Sequence, residues 1–163
     1  REKIWRADPD GCGRSDVERA LRVAAGLAAG VEPADADIAR LACALGDVAV
    51  RDTMYALAVG SGAAQAEMLW SVLARALPEP QRVEVLVLLA FSAYARGDGP
   101  LAGISLEAAL RSNPDHRMAG MLDTALQSGM RPEQIRELAA TGYRLAKRLG
   151  VRLPPRQGFR ALA

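Results

Sequence analysis

Val85-Leu86-Val87-Leu88-Leu89-Ala90-Phe91 decides the fold. An unbroken apolar run has no polar face when wound as a helix, so such a helix has to be buried on every side. The valines would also suit a buried strand. The run continues to Ala95, however, and lies between Pro80 and Gly97, a length that favours helix. The spacing predicts a central helix over 83–96, a turn at Gly97-Asp98-Gly99, a second helix over 100–112 and a stop at Asn113-Pro114.

This hairpin has the spacing of a tetratricopeptide unit, a helix-turn-helix of about 34 residues. Leu86, Leu89, Ala90, Gly97, Ala102, Leu106, Ala109 and Pro114 stand at its offsets. Small residues such as Ala90, Ala102 and Ala109 let antiparallel helices approach closely, and the proline ends the second helix. A plain helical hairpin has the same packing needs.

Outward from the hairpin the pattern repeats. Gly30-Val31-Glu32-Pro33, Gly97-Asp98-Gly99-Pro100 and Gly129-Met130-Arg131-Pro132 each place a glycine just past one helix and a proline near the start of the next. The Gly60-Ser61-Gly62 turn is a looser fourth. Ser15-Asp16-Val17-Glu18 reads as a capping box opening the first helix, and Arg1 to Arg14 reads as irregular because Asp8-Pro9-Asp10-Gly11-Cys12-Gly13 clusters turn-formers. Helices follow over 33–45, 48–59, 63–77, 116–128 and 132–149, the last with Ile135, Leu138, Gly142, Leu145 and Leu149 as its inward stripe. The expected architecture is all-α: about eight helices in four antiparallel hairpins, as a tetratricopeptide-like stack or an orthogonal bundle. Residues 1–14 form an irregular segment, 15–150 one helical domain and 151–163 an extended basic tail.

Composition narrows function by exclusion. Half of the 163 residues are hydrophobic, aromatics are only 4%, and alanine is about a fifth, as suits closely packed helices. Two cysteines, Cys12 and Cys43, and one histidine, His116, supply neither a disulfide framework nor a zinc site. A calcium loop from Asp8 fails because its closing ligand position is Arg19. The glycines separate helices and follow no strand, so no phosphate-binding loop is expected. His116 at a helix start reads as a capping residue before it reads as a general base. The reading is therefore of a protein that is not an enzyme, with no cofactor and no metal. A reducing, cytoplasmic setting fits the cysteines, and no run is long enough to span a membrane.

Two polar groups remain. Asp47, Arg51 and Asp52 share one helix, where Asp47 and Arg51 sit four apart, and Arg96 and Asp98 flank the central turn. At the other end, residues from Met130 onward carry net +6 and leave −4 for the rest. Arg144, Lys147 and Arg148 share an edge of the last helix, and Arg152, Arg156 and Arg160 follow in the tail as candidate phosphate contacts. Cations near a helix C-terminus also complement its dipole, and only Tyr143 and Phe159 are nearby for stacking.

Ala90-Phe91-Ser92-Ala93-Tyr94-Ala95-Arg96-Gly97-Asp98-Gly99, then Leu101-Ala102, Leu106 to Leu110, Asn113-Pro114, Met121-Leu122-Asp123 and Gly129 to Pro132, resemble the C-terminal helical part of the actinobacterial family known as domain of unknown function 4192. Leu45-Gly46-Asp47-Val48-Ala49-Val50-Arg51-Asp52 resembles that family's Arg-Asp segment. The resemblance covers about two thirds of the chain, from Ser15 to Pro132. It implies an actinobacterial source and a domain cut from a longer protein, or a short member, but assigns no activity. It singles out Arg51, Asp52, Arg96 and Asp98 as contact residues.

The leading expectation is a non-catalytic scaffold that contacts another protein, another part of a longer chain or a second copy of itself. Nucleic-acid binding through Arg144, Lys147, Arg148 and Arg152 is the alternative, and a structural companion to a catalytic part elsewhere is the third.

Overall fold

The computed structural model describes residues 7–158. Its centre is helix α5 (Gln81–Ala95), in which every residue from Val85 to Ala95 is buried. The all-apolar run thus does what its composition demands. Gly97, at φ +90°, lets the chain reverse, and the Asp98 carboxylate accepts the Leu101 amide at 2.9 Å to open α6 (Gly99–Ser112). Ala90, Ala102 and Ala109 are fully buried, and α6 is the closest-packed partner of α5. The whole is all-α, with no strand among the described residues.

The other helices wrap this pair. They are α1 (Pro9–Ala28), α2 (Asp35–Ala44), α3 (Val48–Met54), α4 (Ala63–Ala76), α7 (Arg117–Gln127), α8 (Pro132–Arg136) and α9 (Ala139–Leu149). Helix α4 packs between α1 and α5, α7 packs on α6, and α8 on α5. Helix α9 returns to α1 and α3, and Arg14 Nε on α1 donates to the Leu149 carbonyl at 2.9 Å. The first and last of these helices therefore meet. In an open stack each unit touches only its neighbours, so of the two arrangements left open by the sequence this is the closed one.

Four local expectations change. Helix α1 starts at Pro9, not Ser15, because Asp8 accepts the Gly11 amide at 2.9 Å and Pro9 occupies the first turn, where its missing amide costs nothing. Gly13 belongs inside it: a Cβ there would lie 3.1 Å from Leu149 and 3.3 Å from Val50. The helix expected over 48–59 tightens into a 3-10 turn at Tyr55–Val59, whose residues are all buried. The helix expected over 132–149 breaks after Arg136; Ile135, Gly142 and Leu149 are buried as expected, but Ala139 and Ala146 are buried in place of Leu138, which is 37% exposed, and of the half-buried Leu145. The tail is not loose through Gln157. Val151 and Leu153 are buried, Ser61 donates its amide to the Pro155 carbonyl, and Gln157 donates to the Val59 carbonyl, both at 2.9 Å. Arg160 lies outside the described residues.

Candidate functional site

Glu84 is the one acidic residue of α5, and it stands in the first turn. Around it α3 supplies Arg51 and Asp52, and the start of α7 supplies His116, Met118 and Met121. Together they line a cleft of about 660 Å3 with the exposed Arg117 at its rim.

Each member is held differently. His116 caps α7: its Nδ1 accepts the Ala119 amide at 3.2 Å, which leaves the ring proton on Nε2 to donate to Glu84 Oε1 at 3.1 Å. With both ring nitrogens engaged, His116 orients Glu84 and has no lone pair to offer as a base. Arg51 reaches Asp52 Oδ1 through Nε and Nη2, both at 3.1 Å, while its Nη1 stands 3.7 Å from Glu84 Oε2, an ion pair too long for a hydrogen bond. Asp47, expected to pair with Arg51, instead caps α3 by accepting the Ala49 amide at 3.1 Å. Tyr55, within reach of the charges of Glu84, Arg51 and Asp52, is 4% exposed and edge-on to Phe91 with ring centroids 5.1 Å apart. Its hydroxyl and Glu84 Oε2 are buried with no hydrogen-bond partner.

The electrostatics follow from this arrangement. Burial pushes the Glu84 carboxyl up, but the hydrogen bond from His116 and the Arg51 charge outweigh it and hold the group below its ordinary value. Burial above all, with the Glu84 charge behind it, pushes the Tyr55 hydroxyl far up, so the phenol stays protonated. Burial also works against the Arg51 charge, yet Asp52 and Glu84 raise its pKa beyond the usual arginine value.

Met121 is shared by this cleft and a second concavity, a groove of about 480 Å3 between α7 and α8. Gly120, Ala125 and Ile135 are among the residues lining it, and the partly exposed Met121, Met130 and Leu138 line it too. Charged side chains are absent from its lining among the described residues.

The remaining expected contact residues lie elsewhere. Arg96 donates to both oxygens of Glu67 on α4 at 2.8 Å and to Asp98 at 2.9 Å, at the C-terminal end of α5. Arg144, Lys147, Arg148 and Arg152 are exposed around the C-terminus of α9, and none pairs with a carboxylate among the described residues. Arg156 Nη2 approaches the Arg136 carbonyl at 3.4 Å. Sequence reading missed Glu84, Tyr55, Met118 and Met121 as site residues. The signal for Glu84 was present, since a lone acid in an otherwise apolar central helix needs a partner.

No helix among the described residues is long and apolar enough to cross a membrane, and those residues contain no cluster suited to a metal ion. No curated protein and no solved structure matches the chain. A family model described as Domain of unknown function (DUF4192) matches residues 1–133, past the Ser15 limit expected from the sequence. That span holds the whole Arg51–Glu84–His116 cleft and the Arg96 cluster, and it excludes Arg144, Lys147, Arg148 and Arg152. The cleft is thus part of what the match defines, and the chain belongs to the family of domain of unknown function DUF4192.

Proposed function

We propose that this domain is a non-catalytic docking module that holds an apolar segment of another protein in the groove between α7 and α8. The observation that carries the reading is the row of partly exposed apolar side chains, Met121, Met130 and Leu138, along a groove that runs through Met121 into the Arg51–Asp52–Glu84 cleft. Methionines suit such a role because their unbranched, polarisable chains adapt to varied apolar partners. An apolar groove ending in charged groups gives both the contact area and the orientation that a docked segment needs. In this reading Arg51 and Asp52 belong to the contact surface, whereas the Arg96–Glu67–Asp98 cluster acts as a latch within the chain. The engagement of both His116 nitrogens supports a role without catalysis. A cytoplasmic setting is part of the proposal, supported by the two free cysteines.

Nucleic-acid binding is the second reading, favoured by the exposed Arg144, Lys147, Arg148 and Arg152. A photo-crosslinking residue at Gly120, on the groove, and another at Arg111, on exposed α6, separate the two. Docking predicts a defined protein crosslinked from Gly120 and not from Arg111, retained after nuclease, lost in Met130→Gln/Leu138→Gln, and indifferent to alanine at the four basic positions. Retention that needs intact nucleic acid and those four cations overturns docking in favour of the second reading.

A further inference from the structure

Glu84 in the cleft lining and Tyr55, buried within reach of the same charges, each hold a polar atom with unmet hydrogen-bonding capacity. Glu84 Oε2 and the Tyr55 hydroxyl are shut from solvent and make no hydrogen bond among the described residues; Oε2 meets only the 3.7 Å ion pair with Arg51, and Tyr55, 4% exposed, feels the charges of Glu84, Arg51 and Asp52. Folded proteins seldom keep such atoms idle. Asp52 adds a third acceptor, since Arg51 occupies Oδ1 and no hydrogen bond reaches Oδ2 among the described residues. One guanidinium serves two carboxylates, and it bonds only one of them. A primary ammonium carries three donors and no acceptor, which matches two carboxylate oxygens and a phenol oxygen.

We infer that the cleft receives the ammonium group of a lysine carried by the docked segment, its aliphatic stem passing between Met118 and Met121. This rests on the docking reading above. The charge complementarity lies at Glu84, whose carboxylate is ionised and half-buried, while Arg117 is exposed at the rim where water screens it. Met121 lines both concavities, so a residue that leaves the groove is delivered to the cleft. Arg51 competes for the same acceptors and has to swing aside, which its single-oxygen attachment to Asp52 permits.

The test uses 13C-methyl methionine protein titrated with hexylammonium chloride, with hexanol as the uncharged control. Saturable shifts are expected at Met118 and Met121 and none at Met68, which lines a different cleft. Glu84→Gln should weaken the affinity at least about tenfold, the loss of one charge-assisted bond, and Arg51→Gln should strengthen it. Circular dichroism serves as the check that each variant keeps its helices. No saturation, equal shifts with hexanol, or indifference to Glu84→Gln overturns the inference. A capped Leu-Ala-Leu-Lys peptide should bind more tightly than 1,5-diaminopentane; the reverse order assigns the cleft to a free amine and overturns the lysine. The two readings fail separately. If docking is wrong, Met130→Gln/Leu138→Gln leaves the peptide as tightly bound as before while hexylammonium still depends on Glu84. If the lysine is wrong, the peptide depends on the groove and ignores Glu84→Gln.

Discussion

Two clusters of the same residue types flank α5, and they are built to opposite ends. Arg96 uses its guanidinium fork on both oxygens of Glu67 and adds Asp98, whose other oxygen caps α6; every oxygen of the two acids that faces the cluster is occupied. Arg51 meets one oxygen of Asp52 and reaches Glu84 Oε2 only as a 3.7 Å ion pair, leaving Glu84 Oε2 and the Tyr55 hydroxyl without a hydrogen bond among the described residues. The Arg96 cluster completes itself and fastens α4 to the turn between α5 and α6. The Arg51 cluster is incomplete, and an incomplete polar group at a concave surface is where a ligand atom has something to gain. From sequence the two pairs looked alike.

The largest test acts on the scaffold beneath one cluster and spares the other. Gly142 lies where α9 crosses α3: a Cβ there would stand 2.7 Å from Ala56 Cβ and 2.9 Å from the Asp52 carbonyl oxygen. Alanine in place of glycine inside a helix ordinarily gains about 1 kcal/mol, but forcing two backbones apart costs about 3 kcal/mol. Gly142→Ala should therefore lose about 2 kcal/mol in urea unfolding. It should also move the amide resonances of Arg51 and Asp52 and leave those of Arg96 and Glu67 in place. A stability gain would mean that the crossing is looser than these distances imply, and that Asp52 is not positioned by α9.

The ease of reading these features from sequence tracks how local their causes are. The burial of α5 follows from its own composition, and the left-handed glycines at Gly30, Gly97 and Gly129 follow from the chain reversing within a few residues. The start of α1 was misread because Gly11 and Gly13 look like turn residues; only the proximity of Leu149 and Val50, far along the chain, shows why Gly13 suits a helix. The break in the last helix was missed for the same reason, since Ala139, Gly142 and Ala146 face α3 at a register that skips Leu138. Tyr143 illustrates the point again: its hydroxyl holds the tail by donating to the Pro154 carbonyl at 2.9 Å, which no local pattern signals. Of the candidate site, Arg51 and Asp52 were legible through a resemblance. Tyr55 lies one turn further along the same stretch, whereas Glu84 and His116 come from two other segments, and spacing along one helix cannot assemble those.

A pair of substitutions with opposite expected signs sharpens the contrast. Glu67→Ala removes the bidentate partner of Arg96; because Arg96 is 47% exposed, water recovers much of the loss, and the cost should be about 1 kcal/mol. Tyr55→Phe removes a buried hydroxyl that bonds nothing, and should be neutral or gain up to about 1 kcal/mol while keeping the edge-on contact with Phe91. Thermal unfolding of both variants decides the matter. Should Tyr55→Phe lose as much as Glu67→Ala, the hydroxyl has a partner after all and the two clusters are equally complete.

The smallest effect concerns pH. Glu84 is held below its ordinary value near 4.5, so in the folded protein it stays ionised to lower pH than in the unfolded chain. Above that ordinary value both states are ionised and the stabilisation is fully present. As pH falls through it, the unfolded chain takes up the proton first, and stability declines until the folded carboxyl is protonated as well. Asp37, lowered chiefly by its hydrogen bond from Arg19, declines in the same direction, so the informative quantity is the difference between wild type and Glu84→Gln across the acid range. That difference should shrink as pH drops, and Asp37→Asn should leave it unchanged because Asp37 sits on α2, away from the cleft. A constant difference would mean that Glu84 gains nothing from His116 and Arg51 as an anion. A difference that instead grows as pH falls would mean that the folded carboxyl favours its neutral form, and a lysine ammonium would then lose its reason to enter.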